Sequence, residues 1–234
     1  MEFTLLGAAA IAGAAAYGML WWEAKRGNAA RCAGNLWETA LTSVVAGIFI
    51  GRVVAMLIDG VNPLAHPIDI LLVRSGVSTA GASVATAAAF VWQARREPIA
   101  MADGISAAAL AGLAGWHAGC VLRGTCLGTA SDLPWALAQE GGTVTRHPVG
   151  VYAAVLLVVA ALALAWWKAY RHPPAGVPAS LAIAAAAAVR LATEPFQPSL
   201  SGGPIWFYAI ALVIGMAGAA WFGFVVPRRK AQAA

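Results

Sequence analysis

The chain is a series of apolar runs, each about long enough to cross a bilayer, separated by short charged or Pro/Gly-containing breaks. A hydrocarbon core about 30 Å thick takes roughly 20 residues of α-helix. Runs of that order recur near Phe3 to Trp22, Trp37 to Ile58, Val77 to Trp92, Asp103 to Leu122, Pro148 to Trp167, Val177 to Thr193 and Pro204 to Val226. Backbone groups in lipid must be bonded within the segment or in a closed barrel. The Ala/Leu/Val runs lack the period-two alternation of barrel strands, so they read as helices. Of the 234 residues, 61% are hydrophobic and only 11% are charged, against roughly 25% charged in soluble domains, which excludes a soluble fold. The expected architecture is an all-α polytopic membrane protein of seven transmembrane helices, with residues 1–234 forming a single membrane domain.

The charges set the expected orientation. Glu2 stands where a secretion signal would carry a basic segment, and Lys25 and Arg26 follow the first apolar run. That pattern predicts an uncleaved first helix inserted with its N-terminus outside. Lys25, Arg26, Arg31, Arg95, Arg96, Lys168, Arg171, Arg228, Arg229 and Lys230 then share one side with the C-terminus, which is cytoplasmic by the positive-inside rule. The net charge of +5 reflects this distribution. It forms no basic face with interleaved aromatics, so nucleic acid is not an expected partner. Trp21, Trp22, Trp92, Trp166 and Trp167 sit where interfacial anchors sit. The Ala184 to Ala188 tract suits close helix packing.

The other five basic residues, Arg52, Arg74, Arg123, Arg146 and Arg190, fall in outer halves of helices or in outer loops, where orientation gives no reason for arginine. Guanidinium binds phosphate bidentately and stays charged when partly desolvated, so the group predicts an anionic lipid headgroup site. Arg190 and Glu194 are four apart on one helix face and can pair. Arg52 lies about two turns inside the second helix and needs a phosphate, an acidic partner such as Glu194, or an escape to the headgroups. Gly119, Gly124 and Gly128 surround Cys120, Arg123 and Cys126, a glycine density that lets backbone approach a ligand. Cys120 and Cys126 face the oxidising side and can form a disulfide if the helix breaks near Gly124. A metal site from these cysteines with His117 lacks the CxxC spacing of zinc sites, so no metal or other cofactor is expected. His147-Pro148 opens the fifth helix, putting Arg146 and His147 at a helix N-terminus that attracts anions, with Tyr152 near the same mouth. A lone histidine there is either structural or chemical.

These segments resemble the bacterial prolipoprotein diacylglyceryl transferase family over roughly residues 45 to 215. The likeness is carried, in order, by Gly51-Arg52, by His66-Pro67-Ile68-Asp69 with Arg74-Ser75-Gly76-Val77-Ser78 and Gly81, and by Gly119-Cys120 through Gly124-Thr125-Cys126-Leu127-Gly128 with Leu133-Pro134-Trp135. Arg146-His147-Pro148 with Tyr152, and Arg190 with Glu194-Pro195-Phe196, complete it. The resemblance implies seven helices with the N-terminus outside and a site facing the periplasm at the bacterial inner membrane. There the lipobox cysteine of a preprolipoprotein attacks the glyceryl carbon of phosphatidylglycerol, a thioether forms and glycerol phosphate leaves. Phosphatidylglycerol and a lipoprotein signal peptide are the implied partners. Arg190 and Arg52 would bind or polarise the phosphate, Glu194 would orient Arg190, and His147 with Tyr152 would shape the headgroup mouth.

The sequence also departs from the family pattern. The Ser-Phe/Tyr-His-Gly-Gly stretch reads Ser78-Thr79-Ala80-Gly81-Ala82, so Ala80 replaces the histidine taken as a base. The Gly-Arg-Ile/Leu-Gly-Asn stretch reads Trp116-His117-Ala118-Gly119-Cys120, and an acidic position is Thr125. His117 and His147 are then the candidate bases, since imidazole is available near pH 7. The expected site therefore has His147, Arg190, Glu194 and His117 for catalysis, with Arg52, Arg74, Arg123, Arg146, Tyr152, Gly119 and Gly128 for the lipid phosphate. The preferred reading is a phosphatidylglycerol-dependent transferase. The alternative is a catalytically degenerate relative acting as a lipid-binding membrane subunit of a larger complex. A secondary transporter is disfavoured because paired broken helices in two halves are not visible.

Overall fold

The computed structural model describes residues 2–26, 35–65, 68, 76–120, 126–138, 141–197 and 205–225. Among them are the α-helices α1 (Glu2–Ala24), α2 (Leu36–Ile58), α3 (Thr79–Gln93), α4 (Pro98–Ala118), α5 (Val149–Arg171), α6 (Val177–Thr193) and α7 (Ile205–Ala220). A two-residue ladder pairs β1 (Leu137–Ala138) with β2 (Thr145–Arg146), antiparallel. A 3-10 turn, Glu194–Phe196, follows α6, and a π turn, Trp221–Val225, follows α7. Five stretches are long and apolar enough to cross a membrane: Leu36–Ile58, Pro98–Ala118, Val149–Arg171, Val177–Phe196 and Ile205–Val225. The chain is thus a multi-pass helical membrane protein. At 15 residues, α3 is about 22 Å long, shorter than a bilayer core.

The helices fall where the apolar runs predict, with informative shifts. α4 begins at Pro98 rather than Asp103, because proline in a first turn loses no helix bond and the Met101 amide already bonds Glu97 O at 3.0 Å. α5 runs on to Arg171 and stops where His172 adopts a left-handed φ of 45° ahead of Pro173-Pro174.

The chain divides into two compact units. Residues 32–101 hold α2 and α3, which pack antiparallel: a Cβ at Gly47 would meet Thr86 Oγ1 at 1.8 Å, and one at Gly51 would meet Ala82 Cβ at 2.7 Å. Gln93 closes one end, its Nε2 donating to Ser43 Oγ at 3.0 Å and its Oε1 accepting from Thr42 Oγ1 at 2.6 Å.

Residues 1–31 and 102–234 form the other unit. Its core joins Leu110 and Ala114 of α4, Leu157, Ala161 and Leu164 of α5, and Ala182 of α6. Lipid supplies no hydrophobic drive between helices, so close approach of small residues does the work. Gly115 of α4 and Gly119, just past its end, lie against Ala12 and Ala8 of α1, where added Cβ atoms would come within 2.8 Å and 2.5 Å. Large side chains on other faces, such as Val159 and Val213, stay exposed, as lipid-facing positions do.

At the end of this unit where α5 finishes, Lys168 is buried. Its ammonium lies 2.7 Å from Glu23 Oε1 of α1 and donates to Asp103 O at 2.6 Å, Gly104 O at 3.2 Å and Ser106 Oγ at 3.4 Å on α4. The fully buried Glu23 carboxylate is held by this charge alone, since neither oxygen receives an aligned hydrogen bond. The Asp103 carboxylate accepts from Gly176 N–H at 2.7 Å and Ala179 N–H at 2.9 Å. It thereby caps α6, which has no side-chain cap of its own. Gly176 takes a φ of 91° and leaves no room for a Cβ beside the Phe222 ring, 2.5 Å away, so glycine is required there. Lys168, read from sequence as an orienting charge, is therefore also an internal one.

Breaking one half of a buried ion pair leaves an uncompensated charge and costs about 3–5 kcal/mol. Lys168→Met is expected to destabilise the protein by that order in denaturant titration of the detergent-solubilised chain. The double variant Lys168→Met/Glu23→Gln should recover a large part of the loss.

Candidate active site

The other end of the same unit holds most of the expected site. Cys126 is joined to Cys120 by a disulfide, with Cα atoms 5.4 Å apart. Regular α4 has ended at Ala118 and Gly119 lies in a turn, while Gly124, where a break was expected, lies outside the described residues. From Cys126 the chain runs extended against the start of α5. Gly150 N–H donates to Cys126 O at 3.4 Å, Gly128 N–H to His147 O at 2.7 Å and His147 N–H to Thr129 O at 3.0 Å. Thr129 N–H donates to Phe196 O at 2.8 Å and Ser131 N–H to Thr145 O at 3.0 Å. Residues 126–131 thus join the entry to α5 to the turn that follows α6. Only glycine fits at 128, because a Cβ would lie 2.1 Å from Phe196 O and 2.6 Å from Val149 Cγ2. Arg146 adds a bond from Nη1 to Gly128 O at 3.2 Å.

His147 precedes Pro148, the N-cap of α5, which provides no side-chain cap. The first-turn amides of α5 are taken, Val149 N–H by His147 O, Gly150 N–H by Cys126 O and Val151 and Tyr152 N–H by Pro148 O, so what this helix start offers an anion is the positive end of its dipole. His147 Nδ1 lies 3.3 Å from Tyr152 Oη, and Trp135 Nε1 donates to the same phenol at 2.9 Å. If Nδ1 carries the ring proton and donates to Oη, Nε2 is the basic nitrogen and the tyrosine O–H is left to donate elsewhere. Phe196 closes the group, its ring centroid 5.0 Å from that of His147 and 5.9 Å from that of Tyr152.

Arg190, in the last turn of α6, forms an ion pair with Glu194, their side chains 14% and 24% exposed. The guanidinium also lies 5.2 Å from the ring centroid of Tyr208 on α7, within cation–π range. Its position at a helix C-terminus suits a cation. Glu194 opens the 3-10 turn that ends at Phe196, so the arginine clamp and the histidine cluster are successive parts of one short stretch. The carboxylate meets the guanidinium through one nitrogen, Nη1.

A model of the prolipoprotein diacylglyceryl transferase family matches residues 2–226, nearly the whole chain. The chain belongs to that family. Among curated relatives, the phosphatidylglycerol–prolipoprotein diacylglyceryl transferase of Bordetella avium is 26% identical over 72% of this chain and 69% of its own length. The enzyme of the same name from Wolbachia pipientis is 28% identical over 80% of this chain and 76% of its own. That of Nitratidesulfovibrio vulgaris reaches 33% over a shorter stretch, 44% of this chain and 39% of its own.

For this family member the structure gathers His147, Tyr152, Arg146 and Gly128 with Arg190 and Glu194 into one end of one unit. Gly119 has a packing role, its Cα against Ala8. His117, in the last turn of α4, brings its carbonyl to within 3.0 Å of where a Gly150 Cβ would be, which seats the end of α4 on the start of α5. Arg52 belongs to the α2–α3 unit, where it is buried and donates from Nη1 to Gly76 O at 3.0 Å. Arg74 and Arg123 lie outside the described residues, as do His66, Pro67, Asp69, Gly124 and Thr125. Ala80 is exposed in the first turn of α3. Phe196, Trp135 and Thr129 were not among the expected site residues. The first two stand in the segments that carry the family likeness, whereas Thr129 acts through its main chain and leaves no trace in composition or pattern.

Gly128→Ala should separate residues 126–131 from Phe196. With the added carbon overlapping a carbonyl, the expected cost is about 1–3 kcal/mol, read as a lower unfolding midpoint with the ion pair of Lys168 untouched.

Proposed function

We propose that this protein is a phosphatidylglycerol-dependent prolipoprotein diacylglyceryl transferase of the bacterial inner membrane. It has seven spans in one membrane domain, its N-terminus is outside, and its site faces the periplasm. The observation that carries the reading is the bonding of the family-like segments 126–135 and 146–152 to each other and to Phe196, which ends the short turn opened by Glu194, the partner of Arg190. The disulfide at this end supports the orientation, because such bonds persist in oxidising compartments.

In the proposed reaction Arg190, oriented by Glu194, binds the lipid phosphate, and the start of α5 adds the field of the helix dipole. His147 Nε2 takes the proton of the lipobox thiol while Nδ1–H rests on Tyr152. The thiolate attacks the glyceryl carbon, the C–S bond forms, and the C–O bond to phosphate breaks. Glycerol phosphate leaves with the electron pair on its oxygen, neutralised by Arg190 and, through its O–H, by Tyr152. Arg146 is a further cation at the mouth.

A second reading, a lipid-binding subunit without turnover, is favoured by one observation: alanine at position 80, where the family pattern has histidine. A transfer assay with purified protein, phosphatidylglycerol and a lipobox peptide separates the two. The transferase should release glycerol phosphate, with Arg190→Ala at least about 100-fold slower, the scale for losing one preorganised charge contact, and His147→Ala similarly impaired. Phosphatidylglycerol binding without release by folded wild type would instead establish the subunit reading.

A further inference from the structure

We propose that the Cys120–Cys126 disulfide is a positioning element of this site, setting the geometry of His147 and Phe196 through the chain at 126–131. The kinetic part of this proposal rests on the transferase reading; the structural part does not.

The bond stands at the start of the site's main-chain scaffold. Cys120 is buried, and a Cβ built on Gly150 would lie 3.0 Å from Cys120 Cβ and 3.2 Å from Cys126 Cβ. The cross-link is therefore packed flat against the first turn of α5. Gly150 N–H bonds Cys126 O at 3.4 Å, and within the next three residues Gly128 and Thr129 bond both His147 and Phe196. Residues 126–131 touch β2 through the bridge of Ala130 to Arg146 but belong to none of the named helices or strands. Their position rests on these few bonds and on the covalent link at Cys126. Two thiol sulfurs stand farther apart than a bonded pair, and with Gly150 close on one side they separate into the cavity that the pair lines. Reduction therefore displaces Cys126, and with it the amide of Gly128 and the carbonyl of Thr129 that hold His147.

The pair also lines a cavity of about 190 Å³ together with Leu137, Ala138, Pro148 and Val151, so a small dithiol can reach it. Forming the bond removes two electrons and two protons from the thiols, passed by exchange to a disulfide oxidant of the oxidising compartment; a dithiol reductant returns them and leaves as its cyclic disulfide.

The test uses the full chain in phosphatidylglycerol nanodiscs, with Cys32→Ser throughout so that only this pair's thiols are counted. Amide hydrogen exchange and transfer kinetics are measured oxidised, reduced with dithiothreitol, and reoxidised. On reduction, exchange at Gly128, Thr129 and His147 should rise at least tenfold while the middle of α5 stays protected. kcat should fall about tenfold, and both should return on reoxidation. Cys120→Ala/Cys126→Ala should match the reduced state and ignore dithiothreitol. Two free thiols in the untreated protein, or unchanged exchange on reduction, would overturn the proposal. So would a lower melting temperature with exchange and kcat unchanged, the mark of a brace remote from the site. If wild type shows no transfer in either redox state, the transferase reading fails, and amide exchange alone still decides whether the bond positions the site.

Discussion

One buried ammonium organises the larger unit. Taking a lysine out of water costs several kcal/mol unless its charge and donors are all met, and Lys168 is met from two other helices at once: Glu23 on α1 and the Asp103–Ser106 turn of α4. Asp103 extends the arrangement to α6 by capping its first turn. Four helices are thereby tied together at one end of α5. Because α5 is 23 residues long, roughly 34 Å, its other end is far from that tie and needs its own means of being held.

Those means are of a different kind. At the start of α5, among the described residues, no buried charge draws the helices together. The chain at 126–131, the entry to α5 and the turn after α6 are joined by main-chain hydrogen bonds, glycine contacts and one disulfide. Bonds of this sort fix positions to a fraction of an ångström without placing a counter-charge in the cluster. On the proposed reading the site receives an anion, which a carboxylate there would oppose. The carboxylate of the clamp, Glu194, is already committed to Arg190.

The site thus separates orientation from charge. Arg190 is held by Glu194 on one side and faced by the Tyr208 ring on another. His147 is held by a phenol that is itself held by Trp135. On the proposed reading each of these two groups is preorganised by a neighbour, which raises the value of an electrostatic contact.

The helices and most of their limits were legible in the sequence, because hydropathy, proline and glycine act within a segment and read out locally. So was the pairing of Arg190 with Glu194, which needs only a four-residue spacing on one helix. The disulfide was legible only as an option, since it depended on the path of the chain between the two cysteines. The roles of Lys168, Asp103, Gly128 and Thr129 were not legible. Lys168 reads as an interfacial charge until α1 and α4 are placed beside it, and Asp103 gives no sign that it caps a helix far along the chain. The amide of Thr129 carries no side-chain signature at all. The sequence by itself determined a bundle of apolar helices with its unusual polar residues grouped in the connecting segments. Only the tertiary structure decided which charges are neutralised inside and which main-chain groups hold the histidine, because both depend on where helices distant in sequence cross, a property that no single segment contains.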